Sequence, residues 1–132
     1  MVIEVNDMKR LFLVATAILA VFALSACDSG YTNINNDELQ EMLDNNPEYQ
    51  FIDVRTSQEF YDVRIPGFSN IDYYYLDDDH SLTDHLDKDV PVVIMCNSGN
   101  RSRSAAAIFV EEGFTEVYNL TGGIQDWNGE TE

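Results

Sequence analysis

The stretch from Val92 to Ser102 reads VVIMCNSGNRS. Its first four residues are an uninterrupted apolar run, which is typical of a central strand covered on both faces. A polar loop that contains Gly99 follows Cys96, and residues 102–112 then favour a helix that ends at Gly113. The stretch therefore predicts a strand, a short loop and a helix in succession, with a cysteine at the end of the strand.

Working outward, the rest of the chain alternates between short apolar runs and segments of helical character. Buried strands are predicted at 49–54 (YQFIDV) and 116–120 (EVYNL), and the aromatic residues 68–75 favour β structure. Helices are predicted from an Asn35 cap to about Asn45, at 57–61, and around Trp127. This alternation predicts an α/β fold with a central, mostly parallel sheet and helices on both faces.

Length and charge exclude several classes of protein. The 132 residues carry 24 acidic and 7 basic side chains, a net charge of −17, which is enough chain for one packed domain. Such acidity argues against binding of nucleic acid or anionic lipid through a basic surface, and we expect a monomer. Residues 77–89 hold six aspartates and both histidines, and we interpret them as a solvated loop rather than a metal site.

The N-terminal residues have the pattern of an export signal. An uncharged run from Leu11 to Ala26 follows two basic residues, and Met8 stands as a better start than Met1. The exit, LSAC at 24–27, resembles the lipobox of bacterial lipoproteins, in which the cysteine is lipidated. We therefore expect a signal peptide at 1–26, lipidation at Cys27, a tether at 27–33 and a domain at 34–130. The protein would be exported and anchored by lipid to the outer face of the cytoplasmic membrane, which is the periplasmic side in a Gram-negative cell.

Cys96 stands where a nucleophile would be activated. Backbone N–H groups and the helix dipole at a strand–loop–helix junction lower the pKa of a thiol, and Gly99 lets the loop turn tightly. Arg101 places a permanent cation at the mouth of the loop, where it would orient an oxyanion. From the residues alone, a buried structural cysteine with an incidental arginine remains an equal alternative.

Three motifs, in order along the chain, resemble the rhodanese family. The first comprises DVR at 53–55 with Glu59, Phe60 and IPG at 65–67. The second is the stretch from Val92 to Ser102. The third is GF at 113–114, VYNL at 117–120 and GGI at 122–124 with Trp127. The sequence departs from the family at Val63 and Arg64, where Gly-His is common.

The resemblance implies a single rhodanese domain with sulfurtransferase activity and no cofactor or metal. Cys96 would accept a sulfane sulfur from a small anionic donor such as thiosulfate and pass it, as a persulfide, to cyanide or a thiol. The substrate-binding residues would be those of the loop, namely Asn97, Ser98, Gly99, Asn100 and Arg101. The supporting residues would be Asp53, Arg55 and Glu59, with Arg55 and Glu59 forming a structural pair and Asp53 supporting the active loop.

Two alternatives remain at this level. A persulfide carrier or a protein-docking module would keep the same loop. Cysteine phosphatases and arsenate reductases also use a thiolate and an arginine, but they typically need five residues between the two. Four residues separate Cys96 from Arg101 here, which favours a ring sized for one sulfur atom.

Overall fold

The computed structural model describes residues 28–132, which form a five-stranded sheet with helices on both faces. The sheet order is β1-β5-β4-β2-β3, and every neighbouring pair is parallel. The strands are β1 (Thr32–Ile34), β2 (Gln50–Asp53), β3 (Ser69–Asn70), β4 (Val92–Met95) and β5 (Val117–Leu120). The predicted α/β class is confirmed.

Within residues 28–132, four α-helices and one 3₁₀ helix lie between strands, and a second 3₁₀ helix follows β5. The α-helices are α1 (Asn36–Asn45), α2 (Ser57–Asp62), α3 (Tyr73–Asp78) and α4 (Asn100–Glu111), and the 3₁₀ helices are His80–Thr83 and Ile124–Asp126. The predicted capping box of α1 is present, because the Asn35 side chain accepts from the Glu38 amide and Glu38 accepts from the Asn35 amide. The C-terminal segment was predicted as a helix around Trp127, and it forms one 3₁₀ turn that ends at that residue.

The sheet separates two apolar clusters, and β4 contributes to both. Val92 and Ile94 face one cluster, which α3 and α4 cover, while Val93 and Met95 face the other, which α1 covers. All four residues are fully buried, as the apolar run predicted. Because both faces of β4 are covered, the residue that follows it lies at a fixed position at the edge of the sheet.

Two predicted segments differ in the structure. Residues 68–75 contain only the two-residue strand β3, because Asp72 caps a helix by accepting a hydrogen bond from the Tyr74 amide. The tether predicted over 27–33 ends earlier than expected, since Thr32 and Asn33 belong to β1 and lie beside β5. In neither place did the local composition predict the element. Capping by Asp72 determines the helix, and pairing with β5 determines β1.

The acidic residues 77–89 contain more regular secondary structure than the loop predicted from the sequence. They include the end of α3 and the first 3₁₀ helix, and Asp79 accepts hydrogen bonds from both the amide and the hydroxyl of Ser81. His85 lies in a turn, whereas His80 contacts Glu112 through Nδ1 at 3.0 Å. Among the residues described, no group of three or more potential ligands could hold a metal ion.

The predicted signal peptide, the lipobox and Cys27 lie outside the described residues. Within 28–132, none of the helices combines the length and the apolar character needed to cross a membrane.

A buried ion pair stabilises the end of β2. The Asp53 carboxylate accepts from Arg55 Nε and Nη2, with the shortest distance 2.7 Å, and both side chains are almost completely buried. Arg55 also donates to the carbonyl oxygen of Val63 at 2.6 Å, which ties β2 to the end of α2. The Arg64–Glu132 pair, in contrast, is largely exposed.

We predict that Arg55→Met lowers the free energy of unfolding by about 3–5 kcal/mol, because it leaves the Asp53 carboxylate buried without a partner. Arg64→Met is the matched control and should lower it by less than about 1 kcal/mol, since its ion pair is exposed. Urea unfolding followed by circular dichroism measures both. Equal effects of the two substitutions would contradict a stabilising role for the buried pair.

Candidate active site

Cys96 directly follows β4 and begins a loop that leads into α4. Gly99 is the N-cap of that helix and has a φ of 100°, a left-handed conformation that side chains rarely adopt. A Cβ atom at this position would also overlap the carbonyl oxygen of Thr121. Conformation and close packing therefore both require glycine in the loop, as the sequence predicted.

The segment after β5 supports the loop from the other side. The amide of Ile124 donates to the carbonyl of Cys96 at 2.9 Å, and the amide of Gln125 donates to the carbonyl of Asn97 at 3.0 Å. A Cβ atom at Gly123 would overlap the carbonyl groups of Cys96 and Asn97. Sequence reasoning found the two glycines at 122–123 but not this function, because it depends on contact between segments that are distant in the chain.

Backbone and side-chain donors converge on the Cys96 sulfur. The Gly99 amide donates to Sγ at 3.0 Å, and the Ser102 hydroxyl oxygen lies 3.4 Å from Sγ. Cys96 is only 1% exposed, and Ser102 is completely buried. Gly99 occupies the N-cap position of α4, and the Ser102 side chain contacts the thiol.

These contacts determine the acidity of the thiol. Burial raises the pKa of Cys96, but hydrogen bonds from the Ser102 hydroxyl and from the amides of Ser102, Gly99 and Ser98 together outweigh it. The net effect is that the pKa of Cys96 is lowered, in the direction predicted from the strand–loop–helix junction. The hydrogen-bond donors stabilise the thiolate, the form of cysteine that acts as a nucleophile.

Arg101 is held by a carboxylate that sequence reasoning did not connect with it. Its Nη1 and Nη2 donate to Glu59 Oε2 and Oε1 at 2.8 and 2.9 Å, in a two-point ion pair. Glu59 Oε2 also accepts from the amide and the hydroxyl of Thr56, at 2.9 and 3.0 Å. The hydrogen bond from Arg101 is the main reason that the pKa of Glu59 is lowered to about 2.

The predicted Arg55–Glu59 pair is therefore wrong. Arg55 pairs with Asp53, two residues before it, and Glu59 pairs with Arg101, 42 residues after it. Asp53, expected to support the active loop, directs its carboxylate to Arg55. Arg55 precedes the helix that contains Glu59, so the two side chains are not on one helical face although they are four residues apart.

The remaining loop residues surround the thiol with different degrees of exposure. Asn97, Ser98 and Asn100 are exposed, whereas Gly99 is buried and Arg101 is partly exposed. Their roles in substrate binding stay a prediction. The structure brings the five loop residues and Glu59 together at the carboxyl end of β4, and it places the buried pair of Asp53 and Arg55 at the end of the neighbouring strand.

Comparisons with known proteins agree with this geometry. The family model for the Rhodanese-like domain matches residues 35–130. A Pseudomonas aeruginosa protein named thiosulfate sulfurtransferase GlpE is 35% identical over 100 residues, which cover 74% of this chain and 84% of that protein. A protein of the same name from Ectopseudomonas mendocina is 35% identical over 99 residues, covering 75% and 86%.

Solved structures show the same fold. The crystal structure of a rhodanese-like domain protein from Staphylococcus aureus matches with a TM-score of 0.66 at 27% identity, covering 75% of this chain and 93% of that one. A rhodanese-related protein from Thermoplasma volcanium matches with a TM-score of 0.65 at 28% identity, covering 77% and 98%.

We predict that Ser102→Ala slows alkylation of Cys96 by iodoacetamide at pH 7 about threefold to tenfold, because loss of a donor to the thiolate raises the pKa of the thiol. The rate profile against pH should shift upward, with the fully ionised rate little changed. Ser104→Ala is the matched control, since Ser104 is exposed and its hydroxyl contacts only the Asn100 carbonyl. An unshifted profile for Ser102→Ala would contradict the assigned role of this hydroxyl.

Proposed function

The chain belongs to the rhodanese-like domain family, and we propose that it is a sulfurtransferase that carries a sulfane sulfur on Cys96. The single observation that carries the proposal is the convergence of the loop amides and the Ser102 hydroxyl on a buried cysteine sulfur. The resemblance to proteins named thiosulfate sulfurtransferase supports thiosulfate as a donor.

The first step loads the cysteine. The Cys96 thiolate attacks the outer sulfur of thiosulfate, a bond forms between Sγ and that sulfur, and the original sulfur–sulfur bond breaks. The electron pair of the broken bond leaves with sulfite, and the cysteine becomes a persulfide anion. The loop donors that lower the pKa of the thiol are positioned around the sulfur that forms the new bond.

The second step releases the sulfur to an acceptor. Cyanide or a thiolate attacks the outer sulfur of the persulfide, the new sulfur–sulfur bond breaks, and its electron pair returns to Sγ as the thiolate. With cyanide the product is thiocyanate. Neither step needs an external oxidant, a reductant or a cofactor, and the charge is conserved in each.

The size of the loop supports sulfur over phosphate as the transferred group. Four residues separate Cys96 from Arg101, and Gly99 closes the ring against Thr121 with no room for a side chain. The amide of Gly99 lies 3.0 Å from Sγ, so this donor of the loop is directed at the cysteine sulfur. Asn97, Ser98 and Asn100 lie on the exposed side of this ring, where they would contact the donor or the acceptor.

We predict that treatment of the purified protein with thiosulfate adds one sulfur atom to Cys96, seen by mass spectrometry, and that cyanide removes it as thiocyanate. Cys96→Ser should form neither product, because its hydroxyl is a poor nucleophile towards sulfur at neutral pH. Cys27→Ala is the matched cysteine control and should retain both. Full activity in Cys96→Ser would overturn the proposal, and a persulfide that forms but resists cyanide and thiols would indicate a carrier instead of an enzyme.

We further propose that the domain is exported and anchored to the membrane through lipid on Cys27, outside the described residues. The support is the uncharged run from Leu11 to Ala26 after two basic residues and the sequence LSAC at 24–27. Two or more acyl chains on one cysteine give stable anchoring, whereas a single chain binds only marginally. The domain would then face the outside of the cytoplasmic membrane as a monomer, with Cys96 as its remaining thiol.

When the full chain is expressed in a bacterium, we expect radioactive palmitate to label the wild type and the protein to fractionate with membranes. Cys27→Ala should lose both the label and the membrane association, because the acceptor thiol is absent. Cys96→Ala serves as the reciprocal control and should keep both. Label that persists in Cys27→Ala would refute the anchor while leaving the sulfur chemistry untouched.

A further inference from the structure

Arg101, which ends the cysteine loop, is not an uncompensated positive charge. Both terminal nitrogens of Arg101 donate to the two oxygens of Glu59, at 2.8 and 2.9 Å. The positive charge of the guanidinium and the negative charge of the carboxylate are therefore in direct contact. The Arg101 side chain is 20% exposed and that of Glu59 is 36% exposed. A donor that approaches Cys96 therefore meets an ion pair whose net charge is zero.

Glu59 is held in place independently of Arg101. The amide and the hydroxyl of Thr56 both donate to its Oε2, and the Glu59 amide bonds to the Thr56 hydroxyl, which completes the capping box of α2. The pKa of Glu59, lowered to about 2, keeps the carboxylate charged at neutral pH. The charge of Arg101 is therefore compensated at neutral pH.

The other basic residues do not replace the cancelled charge. Of the five bases in residues 28–132, Arg55 pairs with Asp53 and Arg64 pairs with Glu132, while Lys88 lies beside Gly113 at the far end of α4. Arg103 is exposed on α4, two residues beyond Arg101 and therefore on another side of the helix. The remainder of the surface is acidic, since the whole chain carries −17.

We propose that Glu59 is a positioning residue that orients Arg101 and cancels its charge, so that the site selects sulfane donors with one negative charge over dianionic thiosulfate. Thiosulfonates and organic persulfides belong to this class of donor. The guanidinium keeps its hydrogen-bonding geometry but offers little net attraction to a second negative charge. This inference rests on the sulfurtransferase function proposed above and concerns the charge of the donor it uses.

The two donor classes differ in charge but not in the bonds exchanged. With methanethiosulfonate, the Cys96 thiolate takes the outer sulfur, the sulfur–sulfur bond breaks, and its electron pair leaves with methanesulfinate. With thiosulfate, the same bonds form and break and the pair leaves with sulfite. A change between variants in the ratio of kcat/KM values for these two donors therefore reports the effect of the donor's charge, because the leaving groups stay the same.

The test compares Glu59→Gln with Asp62→Asn, which removes the same charge from the same helix without contacting Arg101. In Glu59→Gln, kcat/KM for thiosulfate should rise about fivefold to tenfold relative to that for methanethiosulfonate, mainly through KM, because the Arg101 charge is no longer cancelled. In Asp62→Asn the ratio should change by less than about twofold. Equal ratios in the two variants would overturn the proposal.

A second measurement does not need sulfurtransferase activity. Iodoacetate and iodoacetamide alkylate Cys96 by the same reaction, but only iodoacetate is charged, so Glu59→Gln should raise the iodoacetate-to-iodoacetamide rate ratio. The double variant Glu59→Gln with Arg101→Met should return the ratio to near that of the wild type. An elevated ratio that persists without Arg101 would refute action through that residue. If the wild type transfers no sulfur but the alkylation ratios change as stated, the proposed function fails and the charge compensation stands.

Discussion

The hydrogen bonds between the segment after β5 and the backbone of the cysteine loop are the interaction on which the site depends. The amides of Ile124 and Gln125 donate to the two carbonyl groups at the start of the loop, which fixes the direction of the peptides there. The peptides that follow then direct the amides of Ser98 and Gly99 at Sγ. The acidity of the thiol is therefore a property of the loop conformation, which residues outside the loop maintain.

The two ion pairs near the ends of β2 and β4 make different contributions. The Asp53–Arg55 pair is buried and structural, and it links the end of β2 to the turn after α2. The Glu59–Arg101 pair is partly exposed and lies beside the nucleophile, where its removal would change the local potential more than the stability. The buried Asp53–Arg55 pair thus stabilises the fold, whereas the partly exposed Glu59–Arg101 pair affects the electrostatic potential of the site.

Sequence patterns predicted the elements that local composition determines. The continuous apolar run at 92–95, the capping box at Asn35 and the glycine stop at Gly113 all have short-range causes, and the structure has each of them. The loop after Cys96 was also predictable, since strand, glycine and helix follow one another directly. The direction in which the pKa of Cys96 is shifted was thus predictable from eleven consecutive residues.

What the sequence could not supply was pairing across long separations. Glu59 and Arg101 are 42 residues apart, and β1 joins the sheet only because β5, more than 80 residues later, offers its edge. Local composition assigned Thr32 and Asn33 to a tether, and the family resemblance paired Arg55 with the wrong carboxylate. The partners of β1 and of Glu59 lie far along the chain, and no local pattern encodes them.

The segment that holds the cysteine loop in place is synthesised after the loop itself. Cys96 and the residues that form its ring are made before β5 and before the segment that braces them. Until residues 124 and 125 join the fold, the carbonyl groups of Cys96 and Asn97 lack the hydrogen bonds that hold the start of the loop. An incomplete chain that ends at β5 contains every residue of the reacting loop but lacks these two hydrogen bonds. We therefore expect Cys96 to gain its full reactivity only when the domain is complete, which would shield the sulfur from oxidation while the chain is still unfolded.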